Sequence, residues 1–85
     1  MRITYLQDPG HGWIAVPLEL IRDWGIVPSS YSYRDASTGY LEEDCDASLF
    51  MTAAAARGVS VTLDEHHTDH DSFVRALPRF NGVSK

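Results

Sequence analysis

The residues with the most chemistry in them stand in three short runs. The first is Glu42-Glu43-Asp44-Cys45-Asp46, with acids at four of its five positions. In an extended segment alternate residues lie about 6.8 Å apart, so Glu42, Asp44 and Asp46 would display a row of negative charge. A duplex presents one phosphate charge per roughly 3.4 Å of axis on each strand, so such a row would partly imitate a nucleic-acid backbone. Helix capping competes with that reading, because an acid before a helix satisfies free N–H groups and meets the positive end of the dipole. Capping explains only part of the cluster.

The second run is Glu65-His66-His67-Thr68-Asp69-His70-Asp71. His66 and His70 have the i, i+4 spacing that lets two imidazoles meet one metal on a helix, and Asp69 would help complete a zinc or other divalent site, with His11 as a distant further imidazole. Thr68 and Asp69 look like turn and cap residues, however, which would spread the histidines around a loop. Neither a Cys₂His₂ framework nor a His-Glu-x-x-His helix is present, so a solvated polar loop is the plainer reading. Imidazole also changes charge near pH ~6.5, so mild acid would reduce the acidic field and loosen a basic partner.

The third run, Asp8-Pro9-Gly10-His11-Gly12-Trp13, is a glycine-rich loop carrying an imidazole. It lacks the Walker lysine and leads into an apolar, strand-like segment rather than a helix, which favours a hairpin turn over a phosphate cradle. Cys45 is a poor nucleophile, because the carboxylates of Asp44 and Asp46 beside it oppose thiolate formation. No Gly-x-Ser-x-Gly elbow organises the serines and histidines. The expectation is a protein with no catalytic residues and no cofactor.

Charge sets the wider frame. From Asp35 to Asp71 the chain holds nine carboxylates and the single cation Arg57, a formal charge of −8, within a total of −5 for 85 residues. Such a field repels nucleic acid and membranes and attracts basic partners. Arg2, Arg22, Arg34, Arg75, Arg79 and Lys85 lie outside that stretch but are scattered singly, without the aromatic interleaving of a nucleic-acid groove. Direct binding of nucleic acid is therefore not expected. The N-terminal residues show no secretory pattern, no apolar run approaches the ~18 residues of a membrane span, and the lone Cys45 forms no intrachain disulfide. A cytoplasmic protein is expected.

The elements that must position these runs can be read from periodicity. Ile3 and Tyr5 alternate with Arg2 and Thr4, and Trp13 to Val16 is apolar, so two strands joined by the Asp8–Gly12 turn form a hairpin. Pro17 opens a short helix over about residues 17–24 carrying Leu20, Ile21 and Trp24, with Gly25 as left-handed cap. Tyr31 and Tyr33 mark a third strand, and Tyr40 to Glu43 a fourth. Asp44 or Asp46 caps a second helix with Leu49, Phe50, Ala53 and Ala54 on its apolar face, ended by Gly58. Val59, Val61 and Leu63 alternate with polar residues as a fifth strand, followed by a polar loop over Glu65–His70. A short helix or coil capped by Asp71 and stopped by Pro78 then presents Phe73, Val74 and Leu77. The order ββαββαβ with a short C-terminal helix or coil makes a single α+β domain over residues 1–85, built on an antiparallel or mixed sheet.

The segments Asp-Pro-Gly-His-Gly-Trp (8–13), Tyr-Ser-Tyr (31–33), Tyr-Leu-Glu-Glu-Asp-Cys-Asp (40–46) and Asp-Ser-Phe-Val-Arg-x-Leu-Pro (71–78) together resemble small uncharacterised proteins of bacteriophages and prophages. In size and acidic charge the chain is also similar to anti-CRISPR proteins, a class without a common motif. That resemblance implies a non-enzymatic inhibitor, in the host cytoplasm, blocking a basic nucleic-acid-binding surface of a CRISPR-Cas complex. The contact residues expected for it are Glu42, Glu43, Asp44 and Asp46, flanked by Tyr40 and extended by Asp64 and Glu65. Two alternatives stand beside it: a small metal-binding protein using His66, His70 and Asp69, and an adaptor whose contact surface is apolar.

Overall fold

A β-hairpin at the N-terminus seeds the sheet. In the computed structural model, which describes residues 1–80, β1 (Arg2–Gln7) pairs antiparallel with β2 (Gly12–Pro17) through a turn made by Asp8 to His11. Helix α1 (Leu18–Asp23) follows, then β3 (Tyr33–Arg34), β4 (Thr38–Glu42), α2 (Ala47–Ala56), β5 (Thr62–His67) and a 3₁₀ turn over Phe73–Ala76. The strands form one five-stranded sheet in the order β3-β4-β2-β1-β5, antiparallel except where β5 runs parallel to β1. Among the described residues no helix is long and apolar enough to cross a membrane. Lys85 lies outside the described residues.

Strand alternation sends side chains to two faces, and each face has its own core. On the helix side Ile3, Ile14, Val16 and Leu41 pack with Ile21 of α1 and Phe50 of α2, and Trp24 stacks on Phe50 with centroids 5.3 Å apart. On the opposite side Trp13, Tyr33 and Tyr40 pack with Val74 of the 3₁₀ turn. Both helices end as their glycines dictate: Gly25 and Gly58 adopt φ of 66° and 69°, and the N–H groups of Ile26 and Val59 close back onto Ile21 and Ala54.

Four expected elements differ in detail. The last strand begins at Thr62, not Val59, because the Val59 N–H is used in ending α2 and the pairing follows β1 residue for residue, from Arg2 with Thr62 to Gln7 with His67. Glu65, His66 and His67 therefore belong to an edge strand, and Leu63 is 37% exposed. On α2, Phe50 and Ala54 are buried at i, i+4, but Leu49 faces solvent. The last helix is a single 3₁₀ turn capped by Ser72, whose hydroxyl accepts the Val74 N–H, rather than by Asp71. It buries Val74 and leaves Phe73 outside. Of the tyrosine strand, Tyr33 is paired and buried while Tyr31 is exposed.

Candidate functional site

The acidic run does not form an extended row. After Glu42 the chain turns over residues 43–46, so the pleat that would have aligned its carboxylates ends there. Asp46 is only 3% exposed and its carboxylate accepts from the Ser29 N–H (3.0 Å), the Ser29 hydroxyl (2.8 Å) and the Ser32 hydroxyl. It stands at the head of α2 yet caps nothing with its side chain. Ser32, fully buried, also accepts the Glu42 N–H, so one serine ties β4 to the start of α2. Asp46 is thus a lock on the loop before β3 and is withdrawn from any partner.

Glu42 is 6% exposed. Its register opposite Trp13, on the same face as Tyr40, turns it inward. One carboxylate oxygen accepts the Asp44 N–H at 3.0 Å and the other lies 3.2 Å from Nδ1 of His11. Tyr40 is buried too, with its hydroxyl donating to Asp35 at 3.0 Å. Burial and that carboxylate raise the Tyr40 phenol above its ordinary range. Neither Glu42 nor Tyr40 presents a contact surface. Asp64 is held by Arg2 at 2.6 Å, on the face of the sheet away from the helices.

The exposed acids Glu43 and Glu65 converge instead on Tyr5. Glu65 is the register partner of Tyr5 across the β1–β5 pair, and the Tyr5 hydroxyl donates to Glu43 on the other side. Gly12 makes that reach possible, since a methyl group there would stand 2.7 Å from the Tyr5 ring. Partial burial, then the hydrogen bond to Glu43, then the charges of Glu43 and Glu65 push the Tyr5 phenol up to about 12. A carboxylate from the turn after β4 and one from β5 therefore flank Tyr5 on the helix-side face. Asp44 is exposed at the same β4–α2 turn.

The Asp8–Trp13 loop is rigid for a reason the sequence did not disclose. The Asp8 side chain is fully buried and accepts five hydrogen bonds: from the Gly10, His11 and Ser72 N–H groups and twice from the Arg75 guanidinium, at 2.6 and 2.9 Å. The Arg75 bonds, aided by those N–H groups, hold its carboxyl far below the usual range. The same guanidinium lies 5.3 Å over the Trp13 ring. His11 is thereby fixed at the mouth of a cavity of about 340 Å³ lined also by Trp13, Tyr31, Glu42, Asp44 and Cys45, with Arg75 and Arg79 on its wall. Burial and the neighbouring Glu42 push the Cys45 thiol up, which argues against a nucleophilic role as the sequence suggested.

His66, His67 and His70 line a second cavity of about 410 Å³ with Leu6, Asp71 and Phe73. His66 and His67 are on β5 and point to opposite faces, while His70 lies in the following loop and meets the Thr68 hydroxyl at 2.6 Å. The helix that would have stacked His66 on His70 does not form. Among the described residues, the group of three whose ligand atoms lie close enough for one ion is His11, Glu42 and Asp44, not His66, His70 and Asp69. Strand parity was the available signal: Tyr40 and Glu42 are two residues apart and share a face, and His11 stands two residues before Trp13, at the end of the turn that leads into β2.

Fold and site together define a small α+β domain with a carboxylate-bearing sheet edge on one face and a polar-aromatic cleft on the other. Comparison with protein-family models, with curated proteins and with solved structures gives no match.

Proposed function

We propose that the chain is a non-enzymatic binding protein that offers surface carboxylates to a basic partner. The observation that carries this reading is the convergence of exposed Glu43 and Glu65 on Tyr5, the first from the turn after β4 and the second from β5 at the sheet edge. A tyrosine with its hydroxyl bonded to Glu43 and its ring laid over Gly12 holds that acid in place beside the register position of Glu65, which a solubilising charge does not need. Tyrosine flanked by charge also suits the centre of a protein interface better than a plain solvated surface. The contact residues of the proposal are Glu43 and Glu65.

The partner class to test first is a basic nucleic-acid-binding subunit of a host defence complex, which the phage-like segments and the acidic charge suggest. Inhibition of the anti-CRISPR kind would follow from occupying the surface that nucleic acid otherwise fills. Carboxylates meeting Arg and Lys accelerate encounter and lose strength as salt rises. The test is affinity capture from a bacterial host lysate with the wild-type chain and with E43K/E65K. A basic nucleic-acid-binding protein retained by the wild type alone, and released by salt or by competing DNA, supports the reading. Retention of the same proteins by both baits refutes the siting.

A further inference from the structure

The cleft on the other face of the sheet has ligand chemistry that the partner reading does not use. Nδ1 or Nε2 of His11 and one carboxylate oxygen each of Glu42 and Asp44 lie within 4.8 Å of one another. Their meeting follows from the topology. Trp13 pairs with Glu42 across β2 and β4, and the Glu43 N–H still bonds the Gly12 carbonyl at 2.9 Å, so extending that register sets His11 opposite Asp44. The loop holding His11 is pinned by Asp8, and Glu42 is pinned by the Asp44 N–H.

We propose that His11, Glu42 and Asp44 bind a divalent transition metal of the zinc class, leaving one coordination position open to the cavity. The donor set, one imidazole and two carboxylates, is of the kind such ions take with three protein ligands and an exogenous fourth. Tetrahedral ligands at about 2.0–2.2 Å from zinc stand about 3.4 Å apart, so the widest pair of the set would close by up to roughly 1.4 Å. His11 and Asp44 are the exposed members of the set and would supply that movement, while buried Glu42 supplies the fixed point.

Two observations independent of the ligand spacing point the same way. Glu42 is a nearly buried carboxylate with no Arg or Lys ion pair among the described residues; its ionic neighbour is His11 alone. A buried carboxylate calls for a cation, and here the nearby guanidinium of Arg75 is already taken by Asp8. The second is Trp13, which lines the cavity at 1% exposure and whose indole N–H has no acceptor among the described residues. That nitrogen has no solvent contact of its own, so a water or anionic ligand at the open position would reach it only as the cleft side chains move; Arg79 on the wall would balance an anion's charge.

The test uses tag-free protein, stripped of metal and titrated with Zn²⁺, and in parallel with Co²⁺ for its visible spectrum. One ion per chain is expected. H11Q and D44N, both at exposed positions, should each weaken binding by at least about tenfold, since even loss of a residue supporting a ligand costs about 10–100-fold. The triple variant H66Q/H67Q/H70Q should bind as the wild type does, and cobalt should shift the His11 imidazole nitrogen resonances. No saturable binding by the folded wild type overturns the proposal, as does binding that survives in H11Q and D44N but is lost in the triple variant. Neither outcome bears on the E43K/E65K experiment, which probes the opposite face of the sheet.

Discussion

Replacing Asp8 by Asn removes a charge from the most heavily bonded side chain described above. An asparagine oxygen in the place of Oδ1 keeps the Gly10 and His11 N–H groups and one Arg75 bond. Its amide then meets the Ser72 N–H and the Arg75 Nε as a third donor, so both bonds at Oδ2 are lost. Breaking a buried ion pair by removing one partner costs about 3–5 kcal/mol. The Arg75 side chain is 32% exposed and recovers some hydration, which puts the cost near the lower end, about 3 kcal/mol. A domain of this length is stable by only about 4–13 kcal/mol, so the change is large. At about 4–8 °C per kcal/mol the melting temperature should fall by about 12–24 °C. Urea or thermal denaturation at pH 7 measures it. A loss below about 1 kcal/mol would refute the view that this carboxylate anchors the loop and the 3₁₀ turn. The pH dependence is a second readout. The Asp8 carboxyl has a folded pKa below its unfolded value, so its contribution is complete above about pH 4 and is lost as pH falls below that. The gap between wild type and D8N should therefore narrow from about pH 4 downward. Asp35, whose carboxyl is also held low by the Ser37 and Thr38 N–H groups, keeps part of the acid slope in both proteins.

Further outcomes follow from other contacts. G12A should force the Tyr5 ring aside, break its bond to Glu43 and destabilise the fold by about 1–3 kcal/mol. In that variant the Tyr5 phenol, read by ultraviolet or NMR titration, should return from about 12 toward about 10. Because the folded-state value is the higher one, the wild type should also lose stability as pH rises from about 10 to about 12. D46A should cost about 2–4 kcal/mol in denaturant, by leaving the Ser29 N–H and the buried Ser32 hydroxyl without their acceptor; a change within about 0.5 kcal/mol would return Asp46 to the surface.

The hairpin and the second helix were legible because their signals are local: turn residues between two apolar runs, and Phe50 and Ala54 bounded by Gly58. The register of the last strand was not, because it is set by backbone pairing with β1. Pairing carries the strand on through Glu65, His66 and His67, whose side chains read as a loop. At the site, the inward turn of Glu42 could have been taken from its two-residue spacing from Tyr40. The burial of Asp46 could not, since its partners Ser29 and Ser32 arrive from a loop well upstream, and serines in such a loop are ordinary turn residues. Likewise nothing near Asp8 announces Arg75, which lies 67 residues along the chain. The acidic stretch was visible as charge, but charge alone does not tell a carboxylate that meets solvent from one that holds the fold together.

The most direct test of the proposed function is the equilibrium affinity of the captured basic partner for wild type and for E43K/E65K, measured over a range of salt concentrations. The account predicts wild-type affinity that falls as salt rises, and a variant, folded by circular dichroism, that is at least about tenfold weaker at low salt with a flatter salt slope. Equal affinity and equal slope for the two proteins would contradict it.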